Sequence, residues 1–143
     1  MLKLISLTQP WASLVTAGLK RFETRCWNTP YRGDLAIHAT KARVDQRALH
    51  RIASVLPEIM DLPMPLGAVL SVVTLTSCTT MTPALVAGVD ERELAVGDWQ
   101  LGRFALELTD LRSLSHPLNI STGSRGRPIA LAADLEVDIR SLL

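Results

Sequence analysis

Residues 1–18 read MLKLISLTQPWASLVTAG and combine the pattern of a buried strand with that of a short helix. The segment from Met1 to Leu7 is mostly apolar with isolated polar residues, which fits a short, largely buried strand better than a helix. Pro10 is favoured in a first helical turn, where its missing N–H has no partner to lose, so a short helix is predicted to start there. Gly18 can adopt the left-handed conformation that closes a helix. Lys20 is therefore expected on the loop that follows the helix.

The remaining patterns predict further strands and one clear helix. Residues 22–27 and 33–39 read as strands whose connection is rich in turn-forming residues, which predicts a hairpin-like unit. Residues 67–79 are rich in Val, Leu and Thr, and residues 102–114 alternate in polarity, so both predict strands. Asp45 can cap a helix with one broad apolar face. Because no strand-helix unit repeats, the pattern favours the α+β class, with a small mixed β-barrel and two or three flanking short helices.

Length and composition predict a single domain over residues 1–143. The 143 residues are 48% hydrophobic and 20% charged, close to the averages for soluble folded domains. The most apolar run, residues 65–78, is shorter than the roughly twenty residues that cross a bilayer, and the N-terminus lacks an uninterrupted signal-peptide core. Cys26 and Cys78 form no paired motif, which argues against a zinc finger or a disulfide scaffold. These features predict a cytoplasmic protein with no membrane partner and leave its oligomeric state open.

Charge is distributed unevenly along the chain. The net charge is only +1, so any site for a polyanion must be local. Residues 20–43 carry six Lys or Arg against two acidic residues, whereas residues 58–110 carry eight acidic residues against two Arg. Four aromatic residues lie in or beside the basic segment, namely Trp11, Phe22, Trp27 and Tyr31. Planar side chains among cations suit stacking on unpaired bases with phosphate contacts around them, and packing in the core is the alternative.

The histidines give no sign of a metal site. The three of them, His38, His50 and His116, share no metal-ligand spacing. We therefore expect no metal and no other cofactor, and we interpret His38, on an apolar strand, as a hydrogen-bonded structural residue.

Short motifs run through most of the chain in a specific order. They are Leu7-Thr-Gln-Pro-Trp-Ala-Ser-Leu14, Gly18-Leu-Lys-Arg-Phe-Glu-Thr-Arg25, Tyr31-Arg-Gly33, Ile37-His-Ala39, Gly97-Asp-Trp99, Gly102-Arg-Phe104 and Leu111-Arg-Ser-Leu114. Their order and spacing resemble the ASCH domain, a branch of the PUA-like superfamily. The C-terminal end keeps Arg125-Gly126 but departs from the family pattern at Ile129 and Leu131.

The resemblance implies a PUA-like β-barrel whose cleft binds single-stranded RNA or a modified nucleoside. Family members include an N4-acetylcytidine amidohydrolase and ribonuclease-like proteins, so a hydrolase acting on an acylated nucleoside amide or on RNA is the alternative. In the amidohydrolase type a Thr follows the Lys by three residues. Here Glu23 has that position and Thr24 comes one residue later, so a Thr nucleophile does not transfer directly. Lys20, Glu23 and Arg25 instead keep a Lys-x-x-Glu-x-Arg form that is frequent in the family.

Lys20 and Glu23 also make chemical sense as a pair. Desolvation in a partly apolar cleft would lower the pKa of the amine toward the range where it exchanges protons, and a nearby carboxylate would oppose that shift. The alternative is an ion pair that holds a loop against a strand. The family's more distant carboxylate corresponds to Glu91 or Glu93, of which Glu93 is preferred. The predicted catalytic set is Lys20, Glu23 and Glu93.

A second set is predicted to bind the substrate. Arg25 and Arg32 can each present a planar fork to a phosphate, and Arg103 follows a glycine that lets a ligand approach closely. The full set is Gln9, Trp11, Thr24, Arg25, Arg32 and Arg103. Residues 124–127, Ser-Arg-Gly-Arg, could cradle a phosphate through backbone N–H groups, with an ordinary loop as the alternative. A protein-interaction domain is the remaining class, and no part of the sequence favours it.

Overall fold

A curled, mixed sheet of six strands forms the centre of the protein. The computed structural model describes residues 1–121 and 123–143. The strands are β1 (Leu2–Leu7), β2 (Phe22–Arg25), β3 (Gly33–Ala39), β4 (Ala68–Thr80), β5 (Phe104–Asn119) and β6 (Ile129–Ala130). Their order across the sheet is β2-β5-β4-β3-β1-β6, in which β1 and β3 are parallel and the other neighbours are antiparallel. The register of β4 against β5 shifts at three points, and such irregularities bend a strand, so the sheet curls as the predicted α+β barrel requires.

Short helices flank the sheet and are more numerous than the two or three predicted. They are α1 (Trp11–Thr16), α2 (Gln46–Ala53), α3 (Pro83–Ala87), α4 (Glu91–Ala95) and α5 (Ala133–Ser141), with a 3₁₀ helix at Pro57–Asp61. Gly18 follows α1 with φ of 77°, as expected for a residue that closes a helix. The Asp45 carboxylate accepts a hydrogen bond from the backbone N–H of Ala48 at 3.0 Å and caps α2, as predicted. None of the helices in the described part of the chain is both long and apolar enough to span a bilayer.

The predicted hairpin of β2 and β3 is wrong. β2 pairs with β5, placing Glu23 opposite Leu106, and β3 lies between β1 and β4. The turn-forming residues of the connection reverse the chain locally, but they do not choose the partner of either strand. The segment 26–32 instead carries the chain past β5 and β4 before β3 begins. As a result, Glu23 and its neighbours on β2 lie at one edge of the sheet.

Both faces of the sheet are covered by apolar side chains. Ile37 and Leu106 belong to a buried cluster that includes residues of α1. On the other face Leu4 packs in a cluster with Ile139 of α5. α2 packs against α1 through a third cluster, which contains Leu14 and Ile52. This packing fixes α1 against β1, β3, β4 and β5 and so determines where the loop that carries Lys20 lies.

Candidate functional site

An open cleft of about 770 Å³ lies between β1, α1, β2 and the segment that precedes β5. It is lined by Ser6, Leu7, Thr8, Trp11, Lys20, Glu23, Thr24, Arg25, Thr40, Arg51, Val96, Gly97, Asp98, Arg103 and Ser124. Six residues of the predicted catalytic and substrate-binding sets are among them, namely Trp11, Lys20, Glu23, Thr24, Arg25 and Arg103, and Ser124 of the candidate phosphate cradle is a seventh. The volume is in the range of pockets that hold small organic ligands.

Lys20 is a buried amine on the wall of this cleft. It is only 2% exposed, and its Nζ donates a hydrogen bond to the backbone oxygen of Val96 at 2.6 Å. The same nitrogen lies 3.5 Å from Oε1 of Glu23 and 5.7 Å from the centre of the Trp11 ring. Burial lowers the pKa of Lys20, and the charge of Glu23 opposes this effect. The backbone N–H groups of residues 19 and 20 both donate to the Leu14 oxygen, which fixes this loop to the end of α1.

Glu23 connects Lys20 to Arg25. Its Oε1 faces the amine, while its Oε2 accepts from Arg25, with Nε at 2.7 Å and a terminal nitrogen at 2.6 Å. Arg25 also donates to the backbone oxygen of Ser6 at 3.3 Å. The side chain of Glu23 is 10% exposed and that of Arg25 is 21% exposed. The cleft therefore contains a continuous line of alternating charges, in which the carboxylate is held between two cations.

Thr24 and Arg103 also line the cleft and connect β2 to the segment that precedes β5. The Thr24 hydroxyl accepts a hydrogen bond from the backbone N–H of Asp98 at 2.9 Å, and Arg103 donates to the Thr24 backbone oxygen at 3.2 Å. Arg103 also lies 3.6 Å from the Asp98 carboxylate. A Cβ on Gly97 would lie 2.6 Å from Nε1 of Trp99, so this close approach requires glycine. These contacts hold the segment before β5 against β2.

Three residues of the predicted sets, one catalytic and two substrate-binding, lie outside the cleft. The buried carboxylate of Glu93 accepts hydrogen bonds from the backbone N–H groups of Arg21 and Phe22, at 3.1 and 3.3 Å. Gln9 is fully buried, where its amide bonds to Ser13 and to a backbone oxygen. Arg32 is exposed and donates to the backbone oxygens of residues 29 and 31. Their hydrogen-bonding groups are engaged in positioning the chain rather than directed into the cleft.

A hydrogen-bonded cluster of Ser6, Ser124 and His38 lies at the floor of the cleft, and only Ser124 among them was predicted from the sequence as a candidate site residue. Ser6 and Ser124 exchange hydrogen bonds, each backbone N–H donating to the other hydroxyl, at 2.9 and 2.8 Å. Nδ1 of His38 lies 2.8 Å from the Ser6 hydroxyl, and its Nε2 lies 3.1 Å from the backbone oxygen of Ile120. Burial lowers the pKa of His38. A Ser on an apolar strand carries no signal of this role, because its partners His38 and Ser124 lie 32 and 118 residues away in the sequence.

The described residues contain no group of three His, Cys, Asp or Glu side chains that could hold a metal ion. The polar groups of the cleft are instead a Lys, three Arg, two carboxylates and several hydroxyl groups. Such a set suits hydrogen bonding to a polar or anionic organic ligand.

Comparisons with known proteins identify the family of this chain and solved structures with a similar fold. The ASCH domain family model matches residues 5–114. Over 39 residues the chain is 56% identical to activating signal cointegrator 1 of Mus musculus, a match that covers 27% of this chain and 7% of that protein. The Homo sapiens protein of the same name is 58% identical over 36 residues, covering 25% of this chain and 6% of that protein. The match therefore spans only a small part of these relatives.

The fold is similar to the crystal structure of ASCH from Zymomonas mobilis. The TM-score is 0.63, with 17% sequence identity, and the match covers 99% of this chain and 94% of that one. At this identity the likeness concerns the fold alone.

Proposed function

Because this chain belongs to the ASCH domain family, we propose that its cleft binds a base or nucleoside of single-stranded RNA. One observation carries the proposal: an aromatic ring and a line of largely buried charges lie together in a single cleft. Trp11 lies within 5.7 Å of the Lys20 amine, and Glu23 and Arg25 continue from that amine along the wall. An aromatic ring can stack on a base, and the charged groups can bond to its polar edge.

Binding to a short fluorescein-labelled oligocytidylate, followed by anisotropy at low ionic strength, tests this proposal. Trp11→Leu should weaken binding by about 1–3 kcal/mol, the usual contribution of one stacked base. Tyr31→Leu is the matched control, because Tyr31 is an aromatic residue outside the cleft, where its hydroxyl donates to the backbone oxygen of Asp34. Equal losses in the two variants, or no binding by the wild-type protein, would contradict the proposal.

A second candidate is hydrolysis of an acylated nucleoside amide such as N4-acetylcytidine, or of RNA. The lowered pKa of Lys20 favours it, because desolvation brings an amine closer to exchanging protons near neutral pH. In this reaction the neutral Lys20 amine would accept a proton from an attacking water and then give it to the leaving group. Glu23, at 3.5 Å from Nζ, would stabilise the protonated amine between these steps.

Turnover of N4-acetylcytidine and of an RNA oligonucleotide decides between the two functions. If the cleft is catalytic, Lys20→Met should lower kcat by about 10²-fold or more, whereas Lys41→Met, at an exposed lysine outside the cleft, should not change it. Because Lys20 is buried, its substitution can unfold the protein, so kcat is also measured for a second variant, Glu23→Gln. Thermal unfolding checks that both variants are folded. Wild-type turnover in folded Lys20→Met, or no turnover by the natural protein, leaves binding as the function.

A further inference from the structure

A strip of two guanidinium groups and one ring leads out of the cleft. Trp27 follows β2 and is partly buried against the core. The guanidinium carbon of Arg25, on the cleft wall, lies 5.7 Å from the centre of the Trp27 ring, and that of Arg127 lies 5.6 Å from the same centre. We call Arg25, Trp27 and Arg127 the guanidinium strip. It begins inside the cleft and ends at an exposed cation outside it.

The segment that carries Arg127 is fastened to the cleft. Ser124 lines the cleft and exchanges two hydrogen bonds with Ser6 of β1. Gly126 has φ of 97°, and a Cβ there would lie 3.7 Å from Nε1 of Trp27, so the chain passes directly beside the ring. The conformation of this segment therefore places Arg127 next to Trp27.

The two arginines of the strip differ in whether a carboxylate pairs with them. Arg25 is paired with the Glu23 carboxylate at 2.6 Å. Within the described residues, the ion pairs include neither Arg127 nor its exposed neighbour Arg125. A guanidinium held against a ring still presents N–H donors in a planar fork, which matches two oxygens of a phosphate.

We propose that the guanidinium strip is a second subsite, which binds the phosphodiester backbone of a single-stranded RNA whose base occupies the cleft. The inference rests on the proposed function of the cleft and makes its ligand a polynucleotide rather than a free nucleoside. Arg127 binds a phosphate next to the bound base, and Trp27 holds the guanidinium in place. Arg25 completes the link between the two subsites.

The test compares two probes, free cytidine and the labelled oligocytidylate. Arg127→Gln should weaken binding of the oligocytidylate roughly tenfold at low ionic strength and reduce the slope of log affinity against log salt by about 0.7, the value for one phosphate contact with a single strand. Its affinity for cytidine, measured by calorimetry, should be unchanged. Arg47→Gln, which removes an exposed charge on α2, is the matched control and should change neither affinity.

Each result bears on a different part of the proposal. If Arg127→Gln binds the oligocytidylate as tightly as the wild type does, the strip is not a specific subsite. The same conclusion follows if Arg47→Gln lowers the affinity for the oligocytidylate as much as Arg127→Gln does. If the wild-type protein binds cytidine as tightly as the oligocytidylate, the strip is again overturned while the cleft retains its function. If the wild-type protein binds neither probe, the proposed function of the cleft fails, and the subsite fails with it.

Discussion

At the scale of single residues, His38 shows how a titratable group supports the floor of the cleft. The Ile120 oxygen can only accept a hydrogen bond, so Nε2 of His38 carries a proton. In the neutral ring Nδ1 then accepts from the Ser6 hydroxyl, which in turn accepts from the Ser124 backbone N–H. Protonation of Nδ1 would require the Ser6 hydroxyl to turn around. The cluster is therefore built for the neutral imidazole.

This arrangement predicts a loss of stability at mildly acidic pH. Burial lowers the pKa of His38, so the unfolded chain binds a proton first as pH falls below about 6.5. The free energy of unfolding should decrease from that pH downward, by at most about 1.4 kcal/mol per pH unit for this one group. Urea unfolding of the wild type and of His38→Asn between about pH 8 and pH 5 measures the effect.

His116→Asn serves as the control for this prediction, because His116 is exposed. It should keep the pH dependence of the wild type, whereas His38→Asn should flatten it. An undiminished slope in His38→Asn would mean that other groups cause the loss.

At the scale of elements, α4 is fastened to β2 by one buried carboxylate. Glu93 is 3% exposed and accepts hydrogen bonds from the backbone N–H groups of Arg21 and Phe22. Its backbone oxygen accepts a further hydrogen bond from Nε1 of Trp99 at 3.0 Å. The following residues, 96–98, line the cleft. The docking of α4 therefore positions the Val96 oxygen to which the Lys20 amine donates.

Glu93→Gln should destabilise the protein through this contact. The substitution turns one acceptor oxygen into an NH₂ donor that faces backbone N–H donors, and a buried group left unsatisfied costs about 1–3 kcal/mol. Chemical unfolding at neutral pH measures the change. Glu91→Gln removes the same charge from an exposed position of α4 and should have little effect. Equal effects of the two substitutions would show that charge, rather than the buried contact, is responsible.

The limits of prediction from sequence also appear at this scale. The periodicity of residues 67–79 and 102–114 and the cap at Asp45 depend on local chemistry, and β4, β5 and α2 form as predicted. The pairing of β2 with β5 depends on contacts some eighty residues apart in the sequence, which local turn residues do not encode. For the same reason α5, whose apolar side chains meet β1 only in the folded chain, was not predicted.

The residues of the candidate site likewise divide into those that local spacing predicted and those whose placement depends on tertiary packing. Lys20, Glu23 and Arg25 lie within one loop and the adjoining strand, so their short spacing was sufficient to predict that they meet. The direction in which Glu93 points depends on how α4 docks, and the amide of Gln9 is already hydrogen-bonded to Ser13 and to the Pro65 oxygen. A residue type suited to chemistry thus indicates a candidate, but only tertiary packing determines whether its polar atoms are available.

At the scale of the whole molecule, Asp34 links three elements that are distant in the sequence. Its carboxylate lies on β3 and pairs with Arg112 of β5 at 3.0 Å and with Arg140 of α5 at 3.2 Å. Partial burial would raise the pKa of Asp34, but the hydrogen bonds from both arginines outweigh it and hold the pKa below the usual range. The pair with Arg140 attaches the C-terminal helix to the sheet, in addition to the apolar contacts of Ile139.

Asp34→Asn should therefore weaken the fold in a way that depends on pH. The ion pairs are partly exposed, so the free energy of unfolding near neutral pH should fall by about 1 kcal/mol. Because the folded pKa is lowered, this contribution is present above the unfolded value of about 3.9 and is lost as pH falls below it. The difference between wild type and variant in urea unfolding should shrink accordingly toward about pH 3.

Asp61→Asn, at an exposed aspartate for which no ion pair occurs among the described residues, should differ little from the wild type at either pH. A difference for Asp34→Asn that persists unchanged at acidic pH would mean that shape, rather than charge, accounts for the role of this residue.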